Sequence, residues 1–120
     1  MTAPNLKNPI TIIGKTARSG IGTTTAVGIV TNAPGSNKAL KINSIFCANV
    51  DGTNSADISV SIYNGSTDFY LAKTVSVPSD ATQIISTKET YFYLEEGDSI
   101  RAIASATTRL ELVIGYEEIS

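Results

Sequence analysis

The chain has 120 residues, of which 42% are hydrophobic and 17% are charged, and its formal net charge is -2 with no histidine. This length suits one domain, which buries about two-thirds of its unfolded surface. The 9 basic residues are scattered, so the clustered positive charge that binds nucleic acid is missing. No apolar run reaches the roughly 18 residues of a membrane span, and Met1–Asn5 lacks the features of a signal peptide. We therefore expect synthesis in a cytosol and neither a nucleic-acid nor a membrane partner.

Residues 1–9 are predicted to form an extended arm, followed by one domain over residues 10–120. Met1–Asn8 shows neither the helical nor the strand period. Packing this segment on its own domain would not repay the ordering of its backbone, because Leu6 is its one sizeable apolar side chain beyond the initiator. We predict that the arm is mobile in the free protein and pairs along the sheet edge of a neighbouring subunit. Its candidate partner-contact residues are Thr2, Ala3, Pro4, Asn5, Leu6 and Lys7.

Two short strands are predicted next, joined by a glycine-rich turn. The first is a β-rich segment over Ile10–Ala17, and the second occupies Thr23–Thr31. The sequence Ser19-Gly20-Ile21-Gly22 separates them as the predicted turn. Asn32–Asn37 is then predicted to be a loop, because it carries an Asn-Ala-Pro-Gly-Ser-Asn run.

A long strand is predicted from Leu40 to Val50. One face of this strand is mixed, because it carries the polar Lys41 and Asn43 as well as Ile45 and Cys47. The strand should therefore be partly buried on both sides. Cys47 is the single cysteine and is interpreted as a small core or interface residue. The opposite, apolar face of this strand is predicted to carry Leu40, Ile42, Phe46, Ala48 and Val50.

The segment Ala56–Val77 is the clearest pattern in the chain and predicts a β-hairpin. Before the turn, Ile58, Val60 and Ile62 alternate with polar residues. Asn64-Gly65 is the dipeptide that suits a type I′ turn, because both of its residues tolerate a positive φ. Beyond the turn the predicted apolar face consists of Phe69, Leu71, Val75 and Val77.

Four more strands are predicted in the C-terminal third. Pro78-Ser79-Asp80 is interpreted as a corner where the chain crosses from one sheet to the other. The strands after it are Thr82–Thr87, Tyr91–Leu94, Ser99–Ala106 and Leu110–Tyr116. The chain as a whole has about eight or nine short strands, with turn signals every 8 to 12 residues or so and no helical period. We therefore predict an all-β fold: a single-domain antiparallel β-sandwich that is jelly-roll-like.

No constellation of residues predicts catalysis, a cofactor or a metal. The absence of histidine removes the usual general base and the commonest zinc ligand. Gly14-Lys15-Thr16 resembles the end of a phosphate-binding loop, but Pro9 stands where its first glycine belongs. The oxygen-rich loop Asp51–Asp57 lacks the bidentate acid that completes a calcium loop, so a solvated turn is the simpler interpretation. We expect a protein that is not an enzyme and has no cofactor.

Tyr91 and Tyr93 are the remaining candidate contact residues, because they share one face of a predicted strand. A partner interface or the edge of the core explains them better than a sugar-binding site, although a lectin-like groove built from tyrosines stays an alternative.

Several segments resemble those of small virion structural proteins from tailed phages that infect marine bacteria. The resemblance covers about Leu40 to Ser120, and residues 1–39 match less well. The four segments that carry it are Leu40–Ile45, Ala48–Thr53, Tyr70–Pro78 and Tyr93–Ile100. The resemblance implies a building part of the particle without a catalytic motif.

Two functional hypotheses remain as expectations. The first is a capsid decoration or cement subunit that stabilises the shell in the virion by contacts with the major capsid protein, other virion proteins and sister subunits. A homo-oligomer is expected, with a trimer favoured. The alternative is a tail or fibre component, or a glycan-binding β-sandwich module.

Overall fold

The computed structural model describes residues 7, 9, 11–22 and 27–120. Within these residues the chain forms nine strands and one short 3-10 helix, and no helix is long or apolar enough to cross a membrane. The 3-10 helix spans Lys88–Thr90. The strands are β1 Ile12–Gly20, β2 Val27–Thr31, β3 Ala39–Asn49, β4 Ala56–Tyr63, β5 Asp68–Val77, β6 Thr82–Ser86, β7 Phe92–Leu94, β8 Ser99–Ala104 and β9 Leu110–Ile119.

The strands form two antiparallel sheets. The larger sheet has the order β1-β9-β3-β6, with β7 paired to β3 beside β6, and the smaller sheet has the order β2-β8-β4-β5. The pairing is nested: β1 pairs with β9, β2 with β8, β3 with β6 and β7, and β4 with β5. This is a long hairpin rolled into two sheets, so the predicted jelly-roll-like β-sandwich is confirmed.

Apolar side chains from the inner faces of both sheets form one core. Cys47 lies in it with no exposed surface, as the sequence predicted. The predicted alternation in β8 and β9 is also confirmed, because Ile100, Leu112 and Ile114 are fully buried. The largest fully buried apolar side chains are Ile42, Ile45, Ile58, Leu94, Ile100, Leu110, Leu112, Ile114, Val60 and Val77.

A β-bulge in β3 overturns part of the predicted burial pattern. The register of β3 against β9 shifts between Ile42 and Ser44, so the buried face changes from even to odd positions. Consequently Ile45 is fully buried, whereas Phe46 is 38% exposed. The opposite strand has Gly115 at this point, where a Cβ atom would lie 3.0 Å from Ser44 Oγ. The prediction that Phe46, Ala48 and Val50 share the face of Leu40 and Ile42 was therefore wrong.

The predicted hairpin of β4 and β5 is confirmed, but its turn is not type I′. Tyr63 pairs with Asp68, which leaves a four-residue loop over 64–67. The Asn64 side chain closes this loop: its Oδ1 accepts the backbone N–H groups of Ser66 at 3.0 Å and Thr67 at 2.8 Å. Gly65 alone within the loop has a positive φ, of 98°, so an Asx-type turn replaces the predicted one.

The second strand of the hairpin is an edge strand, and its apolar face is interrupted. Two register shifts occur between β4 and β5, and Thr74 in β5 has a φ of 54°. Val75 and Val77 still pack on or in the core, as predicted. Phe69 is 58% exposed and Leu71 is 38% exposed, so the prediction that they continue the buried apolar face was wrong. Phe69 still shares the face of Ile62, its partner in β4, but it lies near the end of an edge strand and stays exposed.

The first strand is longer than the sequence predicted. Ser19 and Gly20 were assigned to a turn, but both continue β1, because they pair with Leu112 and Glu111 of β9. The predicted start of the second strand lies outside the described residues, and β2 begins at Val27. These two strands belong to different sheets, because β1 pairs with β9 and β2 pairs with β8.

The corner after β5 crosses between the sheets, as predicted. The chain leaves the smaller sheet at Val77 and enters the larger one at Thr82. The buried Asn49 holds this corner, because its Nδ2 donates to the backbone oxygens of Val77 and Asn54, both at 2.9 Å. The Asn49 backbone N–H also donates to the Ala81 oxygen at 2.8 Å. A buried amide with this many partners stabilises the crossing.

Candidate functional site

The outer face of the larger sheet carries a row of exposed apolar side chains. Phe46 of β3 lies directly opposite Val113 of β9 on one side and Ile84 of β6 on the other. Directly opposed residues of antiparallel strands share a face and have Cβ atoms about 5 Å apart. Phe46, Val113 and Ile84 are 38%, 39% and 52% exposed. We call these three residues the apolar row.

The bulge in β3 creates this row. Without the register shift between Ile42 and Ser44, an unbroken alternation from Ile42 would place Phe46 in the core and Ile45 outside. The strand instead presents one large apolar residue inward and the next one outward. Phe46 is therefore left partly exposed on the outer face of the larger sheet.

The tyrosine pair, Tyr91 and Tyr93, lies on the same outer face at the end of the sheet that contains β7. The two rings meet edge to face, with centroids 5.9 Å apart at 90°, which is a favoured geometry for aromatic pairs. Lys41 of β3 is opposite Tyr93, and its Nζ lies 4.4 Å from the centre of the Tyr91 ring. The rings are 48% and 39% exposed, so both predicted contact residues are accessible to a partner.

The apolar row and the tyrosine pair belong to one surface. Lys41 and Phe46 are both outward residues of β3, and five positions of a strand span about 15 Å. The row has charged neighbours: Arg18 of β1 is opposite Val113, and Glu111 of β9 is opposite Ala48. This combination of an apolar centre and a polar surround is the anatomy of a protein contact surface.

The predicted contact residues of the arm fall largely outside the described residues. The structure does not describe Thr2, Ala3, Pro4, Asn5 or Leu6. Of residues 1–8 it describes Lys7, which is exposed. The boundary between a 1–9 arm and a 10–120 domain stays a prediction. Sequence reasoning identified the tyrosine pair but missed the apolar row, because β3 gives no local sign of its bulge.

The remaining tyrosines do not join this surface. Tyr63 lies on the smaller sheet, where the guanidinium carbon of Arg101 is 4.0 Å from its ring centre. Tyr70 is also on the smaller sheet, with Lys73 Nζ 4.6 Å from its ring. Tyr116 packs against the core. No single groove therefore gathers the five tyrosines.

Neither Cys47 nor the Asp51 carboxylate is free to react, because the first is buried and the second is held by hydrogen bonds. Burial raises the pKa of the Cys47 thiol to about 11, so the thiolate that would act as a nucleophile is scarce near neutral pH. Asp51 Oδ1 accepts the backbone N–H groups of Thr53 and Asn54, which lower its pKa, and Arg109 Nε lies 3.4 Å from its other oxygen. In the part of the chain that the structure describes, no three metal-ligating side chains come together.

Comparisons with known proteins add little. Neither a protein-family model nor a curated protein matches the sequence. Among solved structures, the chain is similar to the Eiger TNF of S. frugiperda, with 11% identity over 94% of this chain and 93% of that one, and a TM-score of 0.37. A similarity at this level does not establish a shared function.

Proposed function

We propose that this chain is a non-enzymatic structural protein of a phage virion, most simply a decoration or cement subunit that stabilises the capsid shell. Two observations support the proposal. The segments from Leu40 onward resemble small virion proteins, and the outer face of the larger sheet carries an apolar row with no covering element among the described residues. The partner is the major capsid protein or another virion protein.

The apolar row is the observation that carries the proposal. Its three side chains expose on the order of 200 Å² of apolar surface, which is less than the roughly 300 to 600 Å² of the largest apolar patch on a typical monomer. Burying that area is worth about 5 kcal/mol at about 25 cal/mol per Å². Association itself costs at least about 4 kcal/mol. The row therefore suits the centre of an interface, and the polar groups around it must supply the rest.

The rigidity of the fold also suits a cement subunit. Both sheets are held by the nested pairing of strands far apart in the sequence, so the outer face is presented without a flexible hinge between its strands. Docking through a preorganised surface costs less ordering entropy than docking through a flexible one.

The test is co-sedimentation of the purified protein with empty shells of the phage whose genome encodes it. Phe46→Thr and Ile84→Thr should each weaken binding at least tenfold, or about 1.4 kcal/mol. The matched control is Phe69→Thr, which removes an exposed phenylalanine from the smaller sheet and should leave binding unchanged. Equal binding by all three variants and the wild type would exclude the outer face as the docking surface.

The tyrosine pair favours the alternative, a tail or fibre component or a glycan-binding module. Sugar rings stack on exposed aromatic faces, and Tyr91 and Tyr93 are both accessible. In this case Tyr93→Ala should abolish binding to a soluble glycan while Phe46→Thr leaves it intact. No binding across a broad glycan array, together with shell binding, would exclude the alternative.

A further inference from the structure

The free edge of β1 differs from the other sheet edges in the described part of the chain. β1 has nine residues and pairs with β9 without any register shift. The edge strands β2 and β6 have five residues each, and their ladders contain shifts. β5 contains two shifts and a left-handed Thr74. Natural proteins often have short or bent edge strands, which prevents pairing with other chains. Among β1, β2, β5 and β6, only β1 is neither short nor interrupted by a register shift.

The hydrogen-bond pattern shows which residues of β1 face outward. Thr11 and Ser120 exchange backbone bonds of 3.1 and 2.9 Å, and the Ile21 N–H donates to the Leu110 oxygen at 3.0 Å. Since the ladder between these points is unbroken, the odd-numbered residues bond to β9. The backbone N–H and C=O groups that point to the free edge belong to Ile12, Gly14, Thr16, Arg18 and Gly20.

We propose that β1 pairs antiparallel with β1 of a second copy of this chain, across a two-fold axis at Thr16. The two larger sheets then become one continuous sheet. In this register Thr16 is opposite its own equivalent, Gly14 is opposite Arg18, and Ile12 is opposite Gly20. Each of these residues directs its free backbone N–H and C=O groups at the partner strand. The unpaired backbone groups of β1 are then hydrogen-bonded along the whole edge.

Charge complementarity selects a second copy as the occupant and fixes the register. Gly14 is opposite Glu117 of β9, and a Cβ atom added at Gly14 would meet nothing within 4 Å. An arginine opposite Gly14 can therefore reach across the bare backbone to Glu117, since two strand spacings amount to about 10 Å. The two-fold axis makes this pair twice, with each copy supplying one Arg18 and one Glu117.

Both charged groups are available for this contact. Neither Arg18 nor Glu117 takes part in an ion pair within the described residues, whereas the adjacent Glu118 binds Lys15 and Lys38. Lys41 is opposite Glu117 on the other side, but its ammonium group lies over the Tyr91 ring.

Other registers lose the charge pair. Sliding the strands by two residues places Arg18 opposite Ile12 or Thr16, whose β9 neighbours are Ile119 and Gly115 rather than an acid. No like charges oppose each other in the proposed register, because Lys15 is then opposite Ala17 of the second copy.

Sedimentation equilibrium of the full chain over a wide concentration range tests the contact independently of the function proposed above. The wild type should form dimers. Arg18→Glu and Glu117→Arg should each weaken dimerisation at least tenfold, and the double variant should restore it. Glu89→Arg is the matched control, since it makes the same charge change at an exposed residue of the 3-10 helix, away from β1, and it should dimerise like the wild type.

A second variant tests the backbone part of the contact. The N–H of Thr16 is not used in the ladder with β9, so Thr16→Pro should abolish dimers while the melting temperature of the monomer stays near that of the wild type. A wild type that is monomeric or trimeric at the highest attainable concentration overturns the proposal. So does a dimer that tolerates Arg18→Glu but is lost on deletion of residues 1–8, since the arm would then be the occupant. If a variant no longer forms dimers but still binds shells, the proposed function is unaffected.

Discussion

Ile45→Ala and Phe46→Thr together test the bulge in β3, on which the outer face of the larger sheet depends. Ile45 has no exposed surface and lies between Ile114 of β9 and Ser86 of β6. Truncating a buried isoleucine to alanine costs about 2 to 5 kcal/mol. For a domain of this size each kcal/mol lowers the melting temperature by about 4 °C, so we expect a fall of roughly 8 to 20 °C.

Phe46→Thr should have a much smaller effect on stability. Phe46 is 38% exposed and faces outward, and threonine is a β-branched residue of the kind that strands favour. We expect a loss of about 1 kcal/mol or less, which is about 4 °C. Denaturant and thermal melts of both variants supply the measurement. If Phe46→Thr costs as much as Ile45→Ala, Phe46 lies in the core, the bulge is absent, and the apolar row does not exist.

Three further predictions concern the hairpin loop, an ion-pair cluster and the arm. Gly65→Val should destabilise the protein by about 1 to 3 kcal/mol, because Gly65 has a φ of 98°, which strains a β-branched residue. Gly20→Val is the control, since Gly20 lies in extended backbone with open space around it. An unchanged denaturant midpoint for Gly65→Val would contradict the loop geometry. Hydrogen bonds from Lys38 and, to a smaller extent, Lys15 lower the pKa of Glu118 below 4.5 in the folded protein. On acidification the Glu118 carboxylate of the unfolded chain is therefore protonated first. The contribution of Glu118 to stability is lost as the pH falls through its ordinary pKa towards its lower pKa in the folded protein. The stability difference between the wild type and Glu118→Gln should therefore shrink between about pH 6 and about pH 3 in urea melts, and a constant difference would remove the cluster from the acid response. Deleting residues 1–8 should leave the melting temperature within a few degrees but weaken binding to shells or sister subunits at least tenfold, or about 1.4 kcal/mol, and a deletion variant that binds as tightly as the full chain would make the arm a passive tail.

The sequence by itself determined the class of the fold and most of the strands. Ile58 and Val60 in β4, Ile100 in β8, and Leu112 and Ile114 in β9 follow the two-residue period and are all fully buried. This period is local: successive side chains of a strand point to opposite faces whatever the strand pairs with. The corner after Val77 was also readable, because proline and a short polar run end a strand without any help from tertiary contacts.

Only the tertiary structure decided where that period breaks. The shift at Ile42 and Ser44 exists because β3 pairs with β9 on one side and with β6 and β7 on the other, and Gly115 leaves room for it. The same is true of Gly20, which looks like a turn residue but extends β1 because β9 runs beside it. Pairing between strands far apart in the sequence, such as β3 and β9, is a long-range property. It decided that Phe46 faces outward, and with it the candidate functional site.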